Sequence, residues 1–330
     1  MTKIEKTEGS LPPSGTAPKT VVCVVGPTAC GKTTLGVLLA KRFHGEVVSA
    51  DSMQIYRGLT IGTAAPTAAE MDGVPHHMIA MADPGESWSA ARYVREAVPI
   101  IDNILDRHKL PILVGGTGLW LDAAIRGHGF AAGQAGGEIR KRLQARLREE
   151  GSAALLSELR QVDPEAALRL HPSDEKRILR ALEVYLETGE TITAHNQATK
   201  NLPPRYNAVW IGLRFENRTD MWDLINRRVD RMVAEGLLEE VRSLLRQNLP
   251  PEATALQAIG YKEFTGVLDG TVSVDQAIEE VKLRSRQYAK RQLTWLRRNE
   301  AIHWISWEKE RNFVQALQLS TEILSAAGVC

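Results

Sequence analysis

From Lys19 onward, short apolar runs alternate with longer segments whose apolar residues recur at helical spacing. "KTVVCVV" (19–25) is a β-branched run ending at Gly26 and reads as a buried parallel strand. "KTTLGVLLAKRF" follows with helical periodicity, and "EVVSA" is a second buried strand ending at Asp51. "HHMIAMA" is a candidate third strand. "ARYVREAVPIIDNILDRH" is helical in spacing, and "LPILVGG" is another buried strand leading through "TGLWLDAAI" into a helix. Strand and helix alternate, which predicts an α/β domain built on a mainly parallel sheet flanked by helices.

The rhythm changes near Gly127. "GHGFAAGQAGG" (127–137) reads as a glycine-rich hinge, and from about 138 to 200 only helical patterns follow: "EIRKRLQARLREEG", "SAALLSELRQV", "PEAALRL" and "SDEKRILRALEVYLETG". "AVWIGLRF" (208–215) returns as a late strand. The remainder reads as helical, including "MWDLINRRVDRMVAEGLLEEVRSLLRQ". The expected organisation is a flexible tail at 1–18, a catalytic core of 19–130 and 201–330, and an inserted all-helical domain at 131–200. No internal repeat is evident.

Composition narrows the class only a little. The 330 residues are 43% hydrophobic and 25% charged, ordinary for a soluble globular protein. No apolar run approaches the roughly 18 residues of a membrane span, and the N-terminus lacks the apolar stretch of a secretory signal. A cytoplasmic protein with no membrane partner is expected, with monomer as the default state. Cys23, Cys30 and Cys330 are scattered, which argues against a disulfide framework or zinc site. The net charge is only +1, but Lys282, Arg284, Arg286, Lys290, Arg291, Arg297 and Arg298 crowd one segment that contains no acid. At helical spacing they line two adjacent stripes, opposite Val281, Tyr288, Trp295 and Leu296. Such a patch can bind a polyanion whatever the total charge.

The chemistry begins at "GPTACGKT". Strand, then G-x-x-x-x-G-K-T, then helix is the context that makes this a phosphate loop, a nucleotide- and ATP-binding type of motif. Gly26, Pro27, Thr28, Ala29, Cys30 and Gly31 wrap so that N–H groups point inward. Lys32 supplies a point charge, the helix terminus a partial one, and Thr33 is placed to ligate Mg²⁺. The ligand need not be ATP. "PILVGGTG" ends in glycines where an ATPase would carry a metal-supporting acid, and "VVSAD" instead ends in Asp51, where small-molecule kinases face their acceptor. A small-molecule kinase, a prenyltransferase of free adenine nucleotides and a non-catalytic RNA-binding protein are the competing readings at this point.

Taken in order, "GPTACGKT", "SADSMQIYRGLTIGTAAP", "PHHMIAMADP", "LVGGTGLWLDAAI", "HPSDEKRILRALEVYLETG", "AIGYKE" and "QYAKRQLTWLRR" resemble the tRNA dimethylallyltransferase family from about Val21 to Trp304. The resemblance implies a P-loop kinase-like core with an inserted helical domain, in the bacterial form without a C-terminal zinc-finger extension. It implies transfer of a dimethylallyl group from dimethylallyl diphosphate to N6 of adenosine 37 in a tRNA, with Mg²⁺ as cofactor. Lys32, Thr33 and Arg227 would then stabilise the leaving diphosphate, Asp51 would accept a proton from N6, and Thr117 would help hold the adenosine. Thr117 could equally serve as N-cap of the following helix. The family's tRNA-binding segments fall on Asp51, Ser52, Met53 and Gln54; on Lys176, Arg177, Ile178, Leu179 and Arg180; on Gln257, Ala258, Ile259, Gly260, Tyr261 and Lys262; and on Lys290, Arg291, Gln292, Leu293, Thr294, Trp295, Leu296 and Arg297. Arg140 matches a further contact. His76 and His77 match the family without evident ligand partners and are read as structural. Trp120 is read as packing.

Overall fold

A computed structural model describes residues 19–127 and 137–329; the N-terminal tail, most of the glycine-rich hinge and Cys330 lie outside the described residues. Strands β1 (Thr20–Val25), β2 (Glu46–Ser49), β3 (His76–His77), β4 (Pro111–Gly115), β5 (Asn207–Phe215) and β6 (Ile302–Trp307) form one sheet in the order β3-β2-β4-β1-β5-β6. Every pairing is parallel. β1 is central, and Val21 to Val25 are completely buried, as a run covered by helices on both sheet faces must be.

The helices are α1 (Lys32–Arg42), α2 (Ala68–Met71), α3 (Ala90–Asp106), α4 (Gly118–Arg126), α5 (Glu138–Glu150), α6 (Ser152–Val162), α7 (Pro164–Arg169) and α8 (Glu175–Thr188). After them come α9 (Ile192–Lys200), α10 (Arg218–Ala234), α11 (Leu237–Leu245), α12 (Tyr261–Leu268), α13 (Val274–Leu296) and α14 (Phe313–Ala326). None is long and apolar enough to cross a membrane among the described residues. The chain divides into two compact units, one of Met1–Trp88, Glu96–Leu121 and Arg205–Cys330, the other of Ser89–Arg95 and Asp122–Pro204.

Three expectations change. The segment after residue 215 is not wholly helical, because Ile302–Trp307 is the sixth strand. Ile302, Ile305 and Trp307 are its buried residues, so its six positions carry no clean two-residue period. The run 221–247 is two helices, parted at Gly236, whose φ of +102° a helix cannot contain. The candidate strand "HHMIAMA" keeps only its two histidines, since Met78 and Ala80 take positive φ of 62° and 50°. Beyond it, Ala82 makes an isolated parallel bridge with Tyr56, outside the six strands.

At the start of β2 a buried carboxylate is caged by cations. Glu46 takes two bonds from Arg107, at 2.5 and 2.7 Å, one from Lys109 at 2.7 Å and one from His77 Nε2 at 2.8 Å. The Arg107 guanidinium, then Lys109 and His77, hold its carboxyl well below the usual range against the opposing effect of burial. His76 Nδ1 meets the Val74 carbonyl at 2.8 Å. His77 thus ties β3 to β2 while the His76 contact is local, and no cluster of three potential metal ligands occurs among the described residues.

The second unit has its own core of Leu143, Leu155, Leu156, Leu159, Ile178, Leu179 and Leu182. Asp163, buried ahead of Pro164, accepts from Ala166 N at 3.0 Å and from both the amide and the hydroxyl of Thr193, so one carboxylate caps α7 and anchors α9.

Candidate active site

The loops leaving β1, β2 and β4 open at the carboxyl edge of the sheet, where open α/β sheets bind ligands. Between β1 and α1, Gly26 has φ +152°, and a Cβ there would stand 2.4 Å from the Leu213 carbonyl oxygen. Gly31 has φ +93°, and a Cβ there would meet the Phe313 ring at 2.6 Å. The first turn of α1 has no side-chain cap and no acid, so its N–H groups and partial positive charge are left for an anion. Two loop carbonyls are held by the C-terminal segment: Trp307 Nε1 donates to Cys30 O at 2.9 Å and Arg311 Nη1 to Ala29 O at 3.4 Å. Fixing carbonyls on one side of so short a loop turns amides to the other. Lys32 Nζ rests on the Pro27 carbonyl at 2.7 Å, a neutral partner that a phosphate would replace. Burial pushes the Cys30 thiol up, which makes it a packing group.

Across from this cradle lies the turn after β2. Asp51 Oδ1 accepts from Met53 N at 2.9 Å and from Gln54 N at 3.4 Å, an Asx-type turn that fixes the carboxylate. Its Oδ2 accepts no hydrogen bond among the described residues. Thr117 occupies the residue before α4, but its hydroxyl serves the acceptor side instead, accepting from Ser52 N at 3.1 Å. Ala50 bridges β2 and β4, donating to Val114 O at 2.8 Å and accepting from Thr117 N at 3.2 Å. Tyr288 lies in reach of Thr117 and Gln292; burial and then the Asp51 charge push its hydroxyl up to about 12, so it remains a donor.

Arg227 is not the arginine turned toward Asp51. It is exposed, and its Nε donates at 3.4 Å to Asp223 O on its own helix. Arg228 points inward: Nη2 donates to Thr63 O at 3.3 Å, and burial lowers its pKa while the Asp51 charge opposes that shift. Spacing could have decided between the two. Arg228 continues the stripe of Met221, Ile225 and Met232, all buried on α10, at steps of four, three and four. The loop receiving Arg228 is itself pinned, because Glu240 accepts from Thr60 N, Ile61 N and Gly62 N at 2.8–2.9 Å and from the Tyr261 hydroxyl at 2.5 Å. Neither Arg228 nor Glu240 was singled out by sequence pattern.

The segments expected to touch RNA divide by burial. In the second unit Lys176 and Arg177 are exposed, while Ile178 and Leu179 belong to its core. There Arg180 donates to the buried Glu183 at 2.8 Å, and Arg140 lies 3.7 Å from the same carboxylate. In the first unit Gln257 and Lys262 are exposed, whereas Ala258 and Tyr261 are buried. On α13 the basic stripe is shorter than its sequence: Lys282 pairs with Asp230 and Glu279, Arg284 with Glu280, and Arg286 donates to Asn226 Oδ1. Lys290, Arg291, Arg297 and Arg298 stay exposed without an ion pair among the described residues. Trp295, expected on the packed face, is 38% exposed with Arg298 stacked over its ring. Gln292 is 6% exposed and turned inward. Trp120 is buried, its ring centroid 6.4 Å from that of Trp88.

A family model described as IPP transferase matches residues 54–299, and one described as isopentenyl transferase matches 19–82. The tRNA dimethylallyltransferase of Halalkalibacterium halodurans is 47% identical over 86% of this chain and 90% of its own. That of Pelotomaculum thermopropionicum is 42% identical over 92% and 95%. Among solved structures, the full-length tRNA isopentenylpyrophosphate transferase of Bacillus halodurans superposes with a TM-score of 0.70 at 42% identity, covering 94% of this chain and 98% of that one. A eukaryotic dimethylallyltransferase, solved acting on tRNA, gives a TM-score of 0.80 at 28% identity over 93% and 80%.

Proposed function

The chain belongs to the IPP transferase family, and from that premise we propose that it transfers a dimethylallyl group from dimethylallyl diphosphate to N6 of adenosine 37 in a tRNA anticodon loop, releasing diphosphate. The observation that carries this reading is the pairing of an uncapped phosphate cradle with a fixed carboxylate that keeps one oxygen open.

In the reaction the C1–O bond of the donor breaks, the N6–C1 bond forms, and N6 gives up a proton. The loop amides, Lys32 and Arg228 oppose the charge that builds on the departing diphosphate. Preorganised donors of this kind act without reorganisation at the moment of bond cleavage, and removing one typically costs about 10²–10³ in rate. The attacking amine is weakly nucleophilic because its lone pair is delocalised into the purine. Asp51 Oδ2 takes its proton and limits the positive charge on N6 during attack, while Thr117 and Tyr288 hold the hydroxyl network beside it. A base inside a stacked loop is out of reach, so adenosine 37 is turned out of the stack into this site.

Mg²⁺ suits the residues present. It keeps several waters and takes few protein ligands, so the Thr33 hydroxyl with diphosphate oxygens and water can hold it where no cage of three acidic or imidazole side chains exists among the described residues. Bound there, it would neutralise charge on the diphosphate. The enzyme works as a cytoplasmic monomer, with the exposed cations of α13 on the RNA backbone.

The deciding assay incubates the protein with labelled dimethylallyl diphosphate, Mg²⁺ and either a tRNA bearing adenosine 37 or AMP. Label is expected in tRNA alone, and Asp51→Ala is expected to lower turnover far more than tRNA affinity. Label in AMP but not tRNA, or phosphate transfer from ATP, would overturn the reading.

A further inference from the structure

Helix α13 carries cations outward, but three of its side chains form a second stripe. Tyr288, Gln292 and Trp295 follow one another at steps of four and three, so they project from one side of the helix. All three meet the loop after β4. The Tyr288 hydroxyl lies in reach of Thr117 and Gln292. Gln292 Nε2 donates to Gly116 O at 3.2 Å. A Cβ on Gly118 would stand 2.1 Å from Trp295 Cδ1, and one on Gly116 only 2.0 Å from Gln292 Nε2. Gly116 and Gly118 of "GGTG" therefore leave room for α13, while Gly115 leaves room for the Ala50 backbone.

Gln292 also reaches the other loop. Its Oε1 accepts from Thr28 N at 2.8 Å. One buried amide thus gives its donor to the segment carrying Thr117 and its acceptor to the phosphate loop. A hydrocarbon of equal length would leave Thr28 N–H and Gly116 C=O without these partners.

We propose that Gln292 is a positioning residue for the transfer reaction, setting the phosphate loop against the Gly116–Thr117 segment and so fixing the distance between leaving diphosphate and attacking amine. This inference rests on reading the two loops as donor and acceptor sites. It assigns to a buried residue of the RNA-binding helix a task in donor binding.

Gln292→Met keeps the reach and volume of the side chain and removes both hydrogen bonds. Gly116→Ala should displace the same amide from the opposite side, and adding it to Gln292→Ala should cost little more, since the two act on one contact. Transfer kinetics with each substrate varied, calorimetric titration with inorganic diphosphate and filter binding of tRNA are measured on protein with wild-type far-UV dichroism. In Gln292→Met, affinity for inorganic diphosphate is expected to fall by roughly tenfold, the size of a buried hydrogen bond. kcat should fall by up to about a hundredfold, as a misplacement near 1 Å can produce, while tRNA affinity holds. Wild-type kcat and diphosphate affinity in Gln292→Met would overturn the proposal, as would equal losses in tRNA and diphosphate binding. A wild-type enzyme that puts no label into tRNA would instead sink the functional reading.

Discussion

Two adjacent arginines on α10 separate what the structure says from what the motif suggests. Arg228 is turned in, donating to Thr63 O within the electrostatic reach of Asp51, whereas Arg227 is exposed and, among the described residues, donates only to its own helix, by a 3.4 Å contact. Arg228→Ala removes a fixed donor from the site, so kcat/KM should fall by about 10²–10³, equivalent to about 2.7–4 kcal/mol. Arg228→Lys keeps the charge but loses the planar fork, and should recover part of that loss. Arg227 acts on the loop only at range, adding to the positive field around Arg311. An exposed, water-screened charge of this kind contributes about 0.5 kcal/mol, or about twofold in rate. Initial rates of label transfer to a tRNA transcript give kcat/KM for each variant, and thermal melts establish that each is folded. Comparable losses in Arg227→Ala and Arg228→Ala, or an Arg228→Ala enzyme within about threefold of wild type, would refute the assignment.

Two further outcomes follow from the placement of charged side chains. Glu46→Gln should destabilise the protein by about 1–3 kcal/mol, less than the loss of a fully buried pair because Arg107 and Lys109 remain partly exposed. The folded carboxyl titrates below its unfolded value, so its contribution is complete above the ordinary carboxylate range and lost as pH falls through the depressed one. Urea titrations should therefore show the gap between wild type and Glu46→Gln closing with acid; an undiminished gap in strong acid counts against the cage. For RNA, replacing Lys290, Arg291, Arg297 or Arg298 by alanine should each flatten the plot of log K against log salt by about 0.7, the value per phosphate for a single strand. Lys282, Arg284 and Arg286, already paired within the fold, should leave the slope alone. Equal slopes for both groups would mean the internal pairs open on binding.

Local pattern exposed the parts of this molecule whose causes are local. β1 was legible because five consecutive buried positions require an unbroken apolar run, and the phosphate loop because Gly26 and Gly31 both take positive φ within one short turn, although the atoms that would meet a Cβ there, Leu213 O and the Phe313 ring, come from far along the chain. Asp51 was legible for the same reason, since its turn closes on Met53 and Gln54. What stayed hidden acts across the chain. Trp307 holds the Cys30 carbonyl across 277 positions, Gln292 the Thr28 amide across 264, and Glu240 the loop at 60–62 across about 180. No window of periodicity contains both ends of such a bond, and β6, which brings Trp307 into place, was itself read as helix. Arg228 is the instructive intermediate: the helical stripe of Met221, Ile225 and Met232 that turns it inward is present in the sequence, and that period, not the motif, distinguishes it from Arg227. "GGTG" suggested a turn and a cap; the approach of Gln292 and Trp295 explains why no Cβ is allowed at Gly116 and Gly118, as that of Ala50 does at Gly115. The residues that would touch substrate are therefore grouped by short motifs, while the residues that hold them apart at a working distance come from the far end of the chain, so a truncation that removes β6 and α14 should leave every motif intact and still unmake the cradle.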